Sequence, residues 1–299
     1  REGMPQRPQP RQGPRRNQEI DGQPRGLVVT LRGDIRGAMT NDFPHSRLGF
    51  SLVELSIVLV ILGLLVGGVL SGQSLIRAAE LRSVSTDIQR FMAATHTFRD
   101  KYFGLPGDIT NATSFWGDNN AACPDAAIAN GAPGVCNGNG DGRVALASAV
   151  SQPGEGFGYW QQMANAGMIE GSYTGIAGSG TTYPGRHAIL GQNVPRSRLS
   201  NAGYTVEWQS GGSFGITNVN YLYVGEVETV GSPTWIPFLK PEEAWNIDAK
   251  VDDGRPGYGR VIMSHSYTGT CVTTAVASTS NYQLDYTGKG CNIYVTSFF

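Results

Sequence analysis

The sequence has little charge of either sign and few of the side chains that carry out acid–base or metal chemistry. Only 16% of its 299 residues are charged, and 23 Lys+Arg nearly balance 24 Asp+Glu. A near-neutral chain has no electrostatic attraction for nucleic acid, so we expect no nucleic-acid partner. The four histidines are isolated and fit no metal spacing, and there is no P-loop. These absences predict that the protein is not an enzyme.

Cysteine is also scarce, and its four copies form two local pairs, Cys123/Cys136 and Cys271/Cys291. Neither pair has the C-x-x-C spacing that is typical of a zinc or redox site. The even number and the local pairing predict two disulfides, Cys123–Cys136 and Cys271–Cys291, and therefore an oxidising compartment. Four unpaired buried thiols are the alternative.

The N-terminal stretch lacks any apolar period. Residues 1–38 are rich in Arg, Pro, Gln and Gly, and we interpret them as disordered or as upstream sequence outside the true gene. Met39 is then a plausible start. The 41 glycines of the chain favour loops and turns over a compact helical protein.

One long apolar run stands out against this background, over residues 50–70, with Glu54 as its single charge. A helix of this length spans roughly 30 Å, the thickness of a bilayer core. The apolar core of a secretory signal peptide is shorter, about 7–15 residues. We therefore predict a membrane-spanning helix. Arginines crowd its N-terminal side, which predicts a cytoplasmic N-terminus and an exported C-terminal bulk.

The helical pattern continues beyond the apolar run. Large apolar residues recur at steps of three and four, namely Leu75, Leu81, Val84, Ile88, Phe91, Met92, Phe98 and Tyr102. The helix should stop at Gly104 or before Pro106, because both residues end helices. We predict one helix over 50–103 with an amphipathic second half.

Residues 104–299 change to short segments separated by Gly, Pro, Asn and Ser, and we predict a globular head here. Residues 155–169 are typical of a short helix. Four segments have the alternation and β-branched content of antiparallel strands, at 204–209, 221–227, 260–266 and 292–298. Stretch 75–102 would cover the apolar face of that sheet, which gives an α+β fold.

The residues at the start of the apolar run form a recognisable motif. Residues 47–54 read RLGFSLVE, which resembles the prepilin processing site of type IV pilins and type II secretion pseudopilins. The resemblance implies a pilin-like fold, a leader over 39–49, cleavage between Gly49 and Phe50 by a membrane peptidase, and methylation of Phe50. Glu54 would be the fifth residue of the mature chain, where the family typically has glutamate.

Physical chemistry gives Glu54 a role consistent with that resemblance. A carboxylate within a membrane helix costs about 2.5–3.5 kcal/mol at the helix centre and less near an end. Cleavage creates an α-amine on Phe50, and a neighbouring subunit staggered along a filament would place this amine against Glu54. We expect Glu54 to set the register of assembly. An ordinary signal anchor that tolerates a polar residue is the alternative.

The resemblance also implies partners and a location. The partners would be further copies of the chain, related minor pilins, a prepilin peptidase, an inner-membrane assembly platform and membrane lipid. The protein would pass once through the bacterial inner membrane and then join a periplasmic or cell-surface filament. A surface pilus and a secretion pseudopilus stay open as roles. An unpolymerised membrane-anchored binding or adhesin protein is the rival.

Parts of the head carry looser resemblances to a bacterial subgroup of prepilin-type proteins. These parts are residues 101–116 and 240–259. The head is larger than that of a typical major pilin, and Ser71 stands where the family often has proline. Major and minor subunits therefore both stay open.

A possible metal loop lies in the head. Residues 137–142 read N-x-N-x-D-G, so Asn137, Asn139, Asp141 and the carbonyl of Arg143 could hold calcium, which takes 6–8 oxygens. Ser148 stands where an EF-hand has its last glutamate, and Glu155 or Asp118 would have to substitute. A polar turn is the alternative. The acidic cluster Asp248, Asp252, Asp253 is a weaker second candidate, interpreted mainly as a solvated turn.

Overall fold

The first element of the fold is a 51-residue helix, α1, over Leu52–Tyr102. The computed structural model describes residues 49–117, 135–147, 154–180, 182–199, 201–228, 231–296 and 298. The chain divides after Ser56 into two units.

Local hydrogen bonds decide where α1 begins and ends. The hydroxyl of Ser51 accepts the Val53 amide at 3.3 Å, and the Glu54 carboxylate accepts the Ser51 amide at 3.0 Å. This reciprocal capping starts the helix at Leu52, two residues after the predicted start. At the other end Phe103 adopts a left-handed conformation with φ 57°, which ends the helix one residue before the prediction.

The head buries the second half of α1. Its buried side chains recur at helical spacing and are Val84, Ile88, Phe91, Ala94, Thr95 and Phe98. Leu81, Met92 and Tyr102 pack partly against the same core. Leu75 is 72% exposed, so the prediction that the buried face begins there is wrong. No described residue of the head buries the Leu75 side chain, and the packed apolar face begins with Leu81.

A four-stranded antiparallel sheet forms the centre of the head, in the order β1-β2-β4-β3. Its strands are β1 Ala202–Gln209, β2 Val219–Glu226, β3 Val261–Met263 and β4 Ile293–Val295. The predicted fold class, α+β with a long helix and a small sheet, is confirmed. The last two strands are shorter than predicted. β3 ends because Ser264 caps a 3₁₀ turn over His265–Tyr267 and accepts the Ser266 amide at 3.3 Å.

Three short helices complete the head, α2 Ala112–Trp116, α3 Glu155–Asn165 and α4 Pro241–Val251. Helix α3 confirms the prediction of a helix from residue 155, although it ends before 169. The left-handed Gly167, with φ 71°, follows closely and prevents continuation. Sequence analysis did not predict α4.

Aromatic side chains connect α1 to the rest of the core. The Phe91 ring meets Trp160 of α3 edge-on at 4.9 Å and Tyr204 of β1 at 5.0 Å between centroids. The Tyr204 hydroxyl donates to Asp87 Oδ2 at 3.0 Å, so its polar end is satisfied on the same helix. The packing therefore fixes which face of α1 lies on the sheet.

Two further links hold the head together. The predicted Cys271–Cys291 disulfide is present, with 4.9 Å between the Cα atoms and a sequence separation of 20. Arg77 of α1 donates to both carboxylate oxygens of Glu243 in α4, at 2.6 and 2.8 Å. The Cys123–Cys136 pair stays a prediction, because Cys123 lies outside the described residues.

Candidate functional site

The N-terminal half of α1 exposes an almost continuous apolar surface. All residues from 50 to 70 are exposed, and their large apolar side chains are at least 50% accessible. Among the described residues, α1 is the only helix long and apolar enough to cross a bilayer. Exposed apolar surface on this scale marks a membrane or protein contact.

The predicted cleavage bond lies just outside this helix. Gly49 and Phe50 precede α1, whose first backbone hydrogen bond runs from the Leu55 amide to the Ser51 carbonyl at 3.1 Å. Phe50 is 83% exposed, and no described residue lies within 4 Å of where a Gly49 side chain would begin. The bond between them is therefore open to a peptidase, as cleavage requires.

Glu54 has a local partner that sequence analysis did not consider. Its Oε2 accepts the Ser51 amide, which places a carboxylate in the first turn of α1, at the positive end of the helix dipole. Part of the electrostatic compensation for Glu54 is thus provided within its own chain. The Ser51 amide survives cleavage at Phe50, so this contact is compatible with the mature chain.

These features together define a class of protein, an α+β protein of pilin-like architecture whose long N-terminal helix exposes an apolar half. Residues 44–70 match the family model of the prokaryotic N-terminal methylation motif. This motif is the hallmark of the prepilin-type signal of type IV pilins and pseudopilins, so residues 44–70 carry that signal. Comparisons with curated proteins and with solved structures found no match.

The motif has implications beyond its own residues. It implies processing by a prepilin peptidase and assembly with other pilins. Together with the apolar helix it fits a membrane-anchored pilin. Pilins that carry this motif typically have a structural role.

The predicted calcium loop is held by backbone hydrogen bonds. Asn137 Oδ1 accepts the amide of Thr113, Asn139 Oδ1 that of Asp141, and Asp141 Oδ1 that of Arg143, each at 2.9 Å. Each predicted side-chain oxygen therefore has a partner already, although a carboxylate or amide oxygen can also accept a second contact.

Two carboxylates fold onto this loop. Glu155 accepts the Asn139 and Ala145 amides at 3.1 and 2.9 Å, as the prediction that Glu155 folds back required. Asp108, which sequence analysis missed, accepts the Gly140 and Gly142 amides at 2.8 and 2.9 Å. Burial raises the pKa of both carboxyls, and these amides partly offset it. Asp118 lies outside the described residues, and calcium binding here stays a prediction.

A serine and a histidine meet elsewhere in the head. Residues 211–215 have the G-x-S-x-G spacing of many serine hydrolases, which sequence analysis passed over. Ser213 Oγ lies 3.0 Å from His265 Nδ1, but it also donates to the Met263 carbonyl at 2.8 Å and is 2% exposed. The segment is a 3₁₀ turn rather than a strand–turn–helix elbow. The contact anchors this turn to the end of β3.

Proposed function

We propose that the protein is a structural subunit of a type IV pilus or a type II secretion pseudopilus. It inserts with a cytoplasmic N-terminus, is cleaved between Gly49 and Phe50, is methylated on Phe50, and assembles through α1. The observation that carries the proposal is that the methylation motif over 44–70 coincides with the exposed apolar half of α1.

The energetics of α1 support assembly after membrane insertion. Fully burying one large aliphatic side chain is worth about 1.5–3 kcal/mol, and residues 50–70 are almost all apolar. A helix that leaves the bilayer must bury this surface again, and the matching surface of a neighbouring α1 has the right length and chemistry. The α-amine of Phe50 in one subunit would then meet Glu54 of its neighbour.

The proposed partners follow from this route. They are the prepilin peptidase, further copies of this chain, related minor pilins, the inner-membrane assembly platform and the lipid around α1. The cation expected in the head is calcium, at the loop that contains Asn137, Asn139, Asp141 and Arg143.

Intact mass measurement and N-terminal sequencing of the membrane-extracted protein test the proposal. We expect a chain that begins at Phe50 and carries one added methyl group on its amine. Gly49→Leu is the matched control, because a side chain there meets open space and should leave the fold unchanged while blocking cleavage. A wild-type chain that keeps residues before Phe50 and stays monomeric would favour an unpolymerised membrane-anchored adhesin or binding protein.

Deletion of the gene separates the two filament roles. Loss of twitching or surface adhesion with normal protein secretion would assign a pilus. Loss of exoprotein release with normal motility would assign a pseudopilus.

A further inference from the structure

Three carboxylates gather where α4 ends. Asp248 lies in the last turns of α4, Asp252 follows its final residue, and Asp253 comes next. One oxygen from each of the three lies within 4.8 Å of the others. Oxygens bound to one calcium ion at 2.3–2.6 Å are separated by no more than about 5 Å, so this spacing fits a shared cation.

Asp248 is the buried member of the group. It is 0% exposed, and its Oδ2 accepts the Tyr282 hydroxyl at 2.6 Å. Its Oδ1 is shielded from solvent and has no hydrogen-bond partner. A buried carboxylate oxygen without a partner is costly, so a cation bound to this oxygen would stabilise the fold.

The other two carboxylates are positioned by the backbone. Asp252 Oδ2 accepts the amides of Arg260 and Val261, and Asp253 Oδ1 accepts the Arg255 amide at 2.8 Å. The hydrogen bond between the Arg260 amide and Asp252 depends on Gly259, which has φ 80°. Any side chain at position 259 would overlap the Asp252 carboxylate. Each carboxylate of the group thus accepts hydrogen bonds that hold the fold, and the Gly254 amide also interacts with the Asp248 carboxylate.

Basic side chains of the described residues do not neutralise this charge. Within the described part of the chain, none of the three carboxylates forms an ion pair with lysine or arginine. Their position makes the charge more unfavourable, because the C-terminal end of a helix is the negative end of its dipole. A cation shared by the three carboxylates would offset this charge.

We propose that Asp248, Asp252 and Asp253 bind a divalent cation, and that this cation is calcium. All three donors are hard oxygens, and calcium accepts irregular sets of carboxylate, carbonyl and water oxygens. Magnesium demands a nearly regular octahedron, which carboxylates already tied to backbone amides would not readily form. The ion would join the end of α4 to the chain entering β3. This site is separate from the predicted loop over 137–143 and does not depend on filament assembly.

Calorimetric titration of the detergent-solubilised full chain, stripped of metal with a chelator, tests the site with calcium chloride as the probe. We expect Asp248→Asn and Asp253→Asn each to weaken one binding event at least about tenfold, since ligand charge sets calcium affinity. Asp253 is exposed, and asparagine keeps an oxygen for the Arg255 amide, so this variant should fold normally. Asp141→Asn in the other loop is the matched control and should leave that event unchanged.

Thermal unfolding provides a second readout. Calcium should raise the melting temperature of Asp253→Asn less than that of the wild type at the same concentration, because a ligand stabilises only the state that binds it and this variant keeps only the loop over 137–143 intact. The proposal is overturned if wild-type protein binds no calcium at millimolar concentrations, which a protonated Asp248 would explain. It is also overturned if only Asp141→Asn abolishes binding, or if magnesium binds and calcium does not.

Discussion

Substitution of Glu54 separates two roles that this carboxylate could have, capping α1 and pairing with a neighbouring subunit. In the single chain Glu54 Oε2 accepts the Ser51 amide at 3.0 Å, and Ser51 Oγ accepts the Val53 amide at 3.3 Å. Glutamine can make the same capping contact but carries no charge. Glu54→Gln therefore removes the proposed ion pair and keeps the cap, whereas Ser51→Ala removes one half of the cap and keeps the charge.

The magnitudes make the comparison decisive. Loss of an N-cap side chain costs about 0.5–2 kcal/mol, which is small for a helix as long as α1. A carboxylate near the end of a membrane segment costs less than the 2.5–3.5 kcal/mol found at a helix centre, and glutamine removes this charge penalty. Membrane insertion of Glu54→Gln should thus be as good as that of the wild type or better. Any loss of assembly would come from the missing charge.

Filament yield and membrane content measured side by side provide the assay. We expect Ser51→Ala to assemble close to wild-type levels and Glu54→Gln to accumulate in the membrane as processed, unassembled subunits. The reasoning would be refuted if Glu54→Gln assembled normally and Ser51→Ala did not, since Glu54 would then act as a helix cap. Glu54→Val, which loses cap and charge together, should resemble Glu54→Gln.

Three further predictions concern the head. Phe91→Ala should lower the free energy of unfolding by about 3–5 kcal/mol in denaturant titrations, because the ring is 1% exposed and packs against two aromatic rings; a loss below about 1 kcal/mol would contradict this packing. Replacing Cys271 and Cys291 by serine should cost about 3 kcal/mol, as expected for a closed loop of this length, and reducing agent should then lower the melting temperature less than it does in the wild type. Burial alone would raise the pKa of Glu243, but its hydrogen bonds and ion pair with Arg77 hold it below the ordinary value of 4.5. The stabilisation that this ion pair provides is therefore present above pH 4.5 and is lost as the pH falls through the lower pKa of Glu243 in the folded protein. Glu243→Gln should thus flatten the acid limb of a stability–pH curve. An unchanged acid limb would refute the role of this pair.

The sequence could predict α1 because its signal is local. An apolar run and a helical period determine the type and approximate length of the helix, while its start depends on the contact between Ser51 and Glu54. Helix α4 was missed because it has only 11 residues, and a helical period over so short a span rests on Ala244, Ile247 and Val251 alone. Its start nevertheless carried the usual signals, with Pro241 in the first turn and acidic residues behind it. Those signals would have located it.

The candidate sites also differ in how far apart in the sequence their residues lie. The cleavage motif is contiguous, so sequence alone could identify it. Asp108 contacts the loop at 137–143 although it lies more than 30 positions earlier in the sequence, and no local sequence pattern predicts that contact. Asp248 and its acidic neighbours are close in sequence, but the burial of Asp248 depends on Tyr282, 34 positions along the chain. The interpretation of the acidic cluster as a solvated turn is therefore wrong for Asp248, which is buried.

The distribution of exposed apolar residues along α1 favours assembly over a simple membrane anchor. Residues 50–70 already extend about 30 Å, which is enough to cross the hydrocarbon core. Leu75 and Ile76 lie beyond that length and are 72% and 62% exposed, whereas the head buries α1 fully only from Val84. A bilayer alone leaves this intervening turn at the interface or in water. The α1 helix of a neighbouring subunit would cover the membrane-spanning stretch and this turn together, so the exposed surface is better matched to a filament than to a lipid bilayer alone.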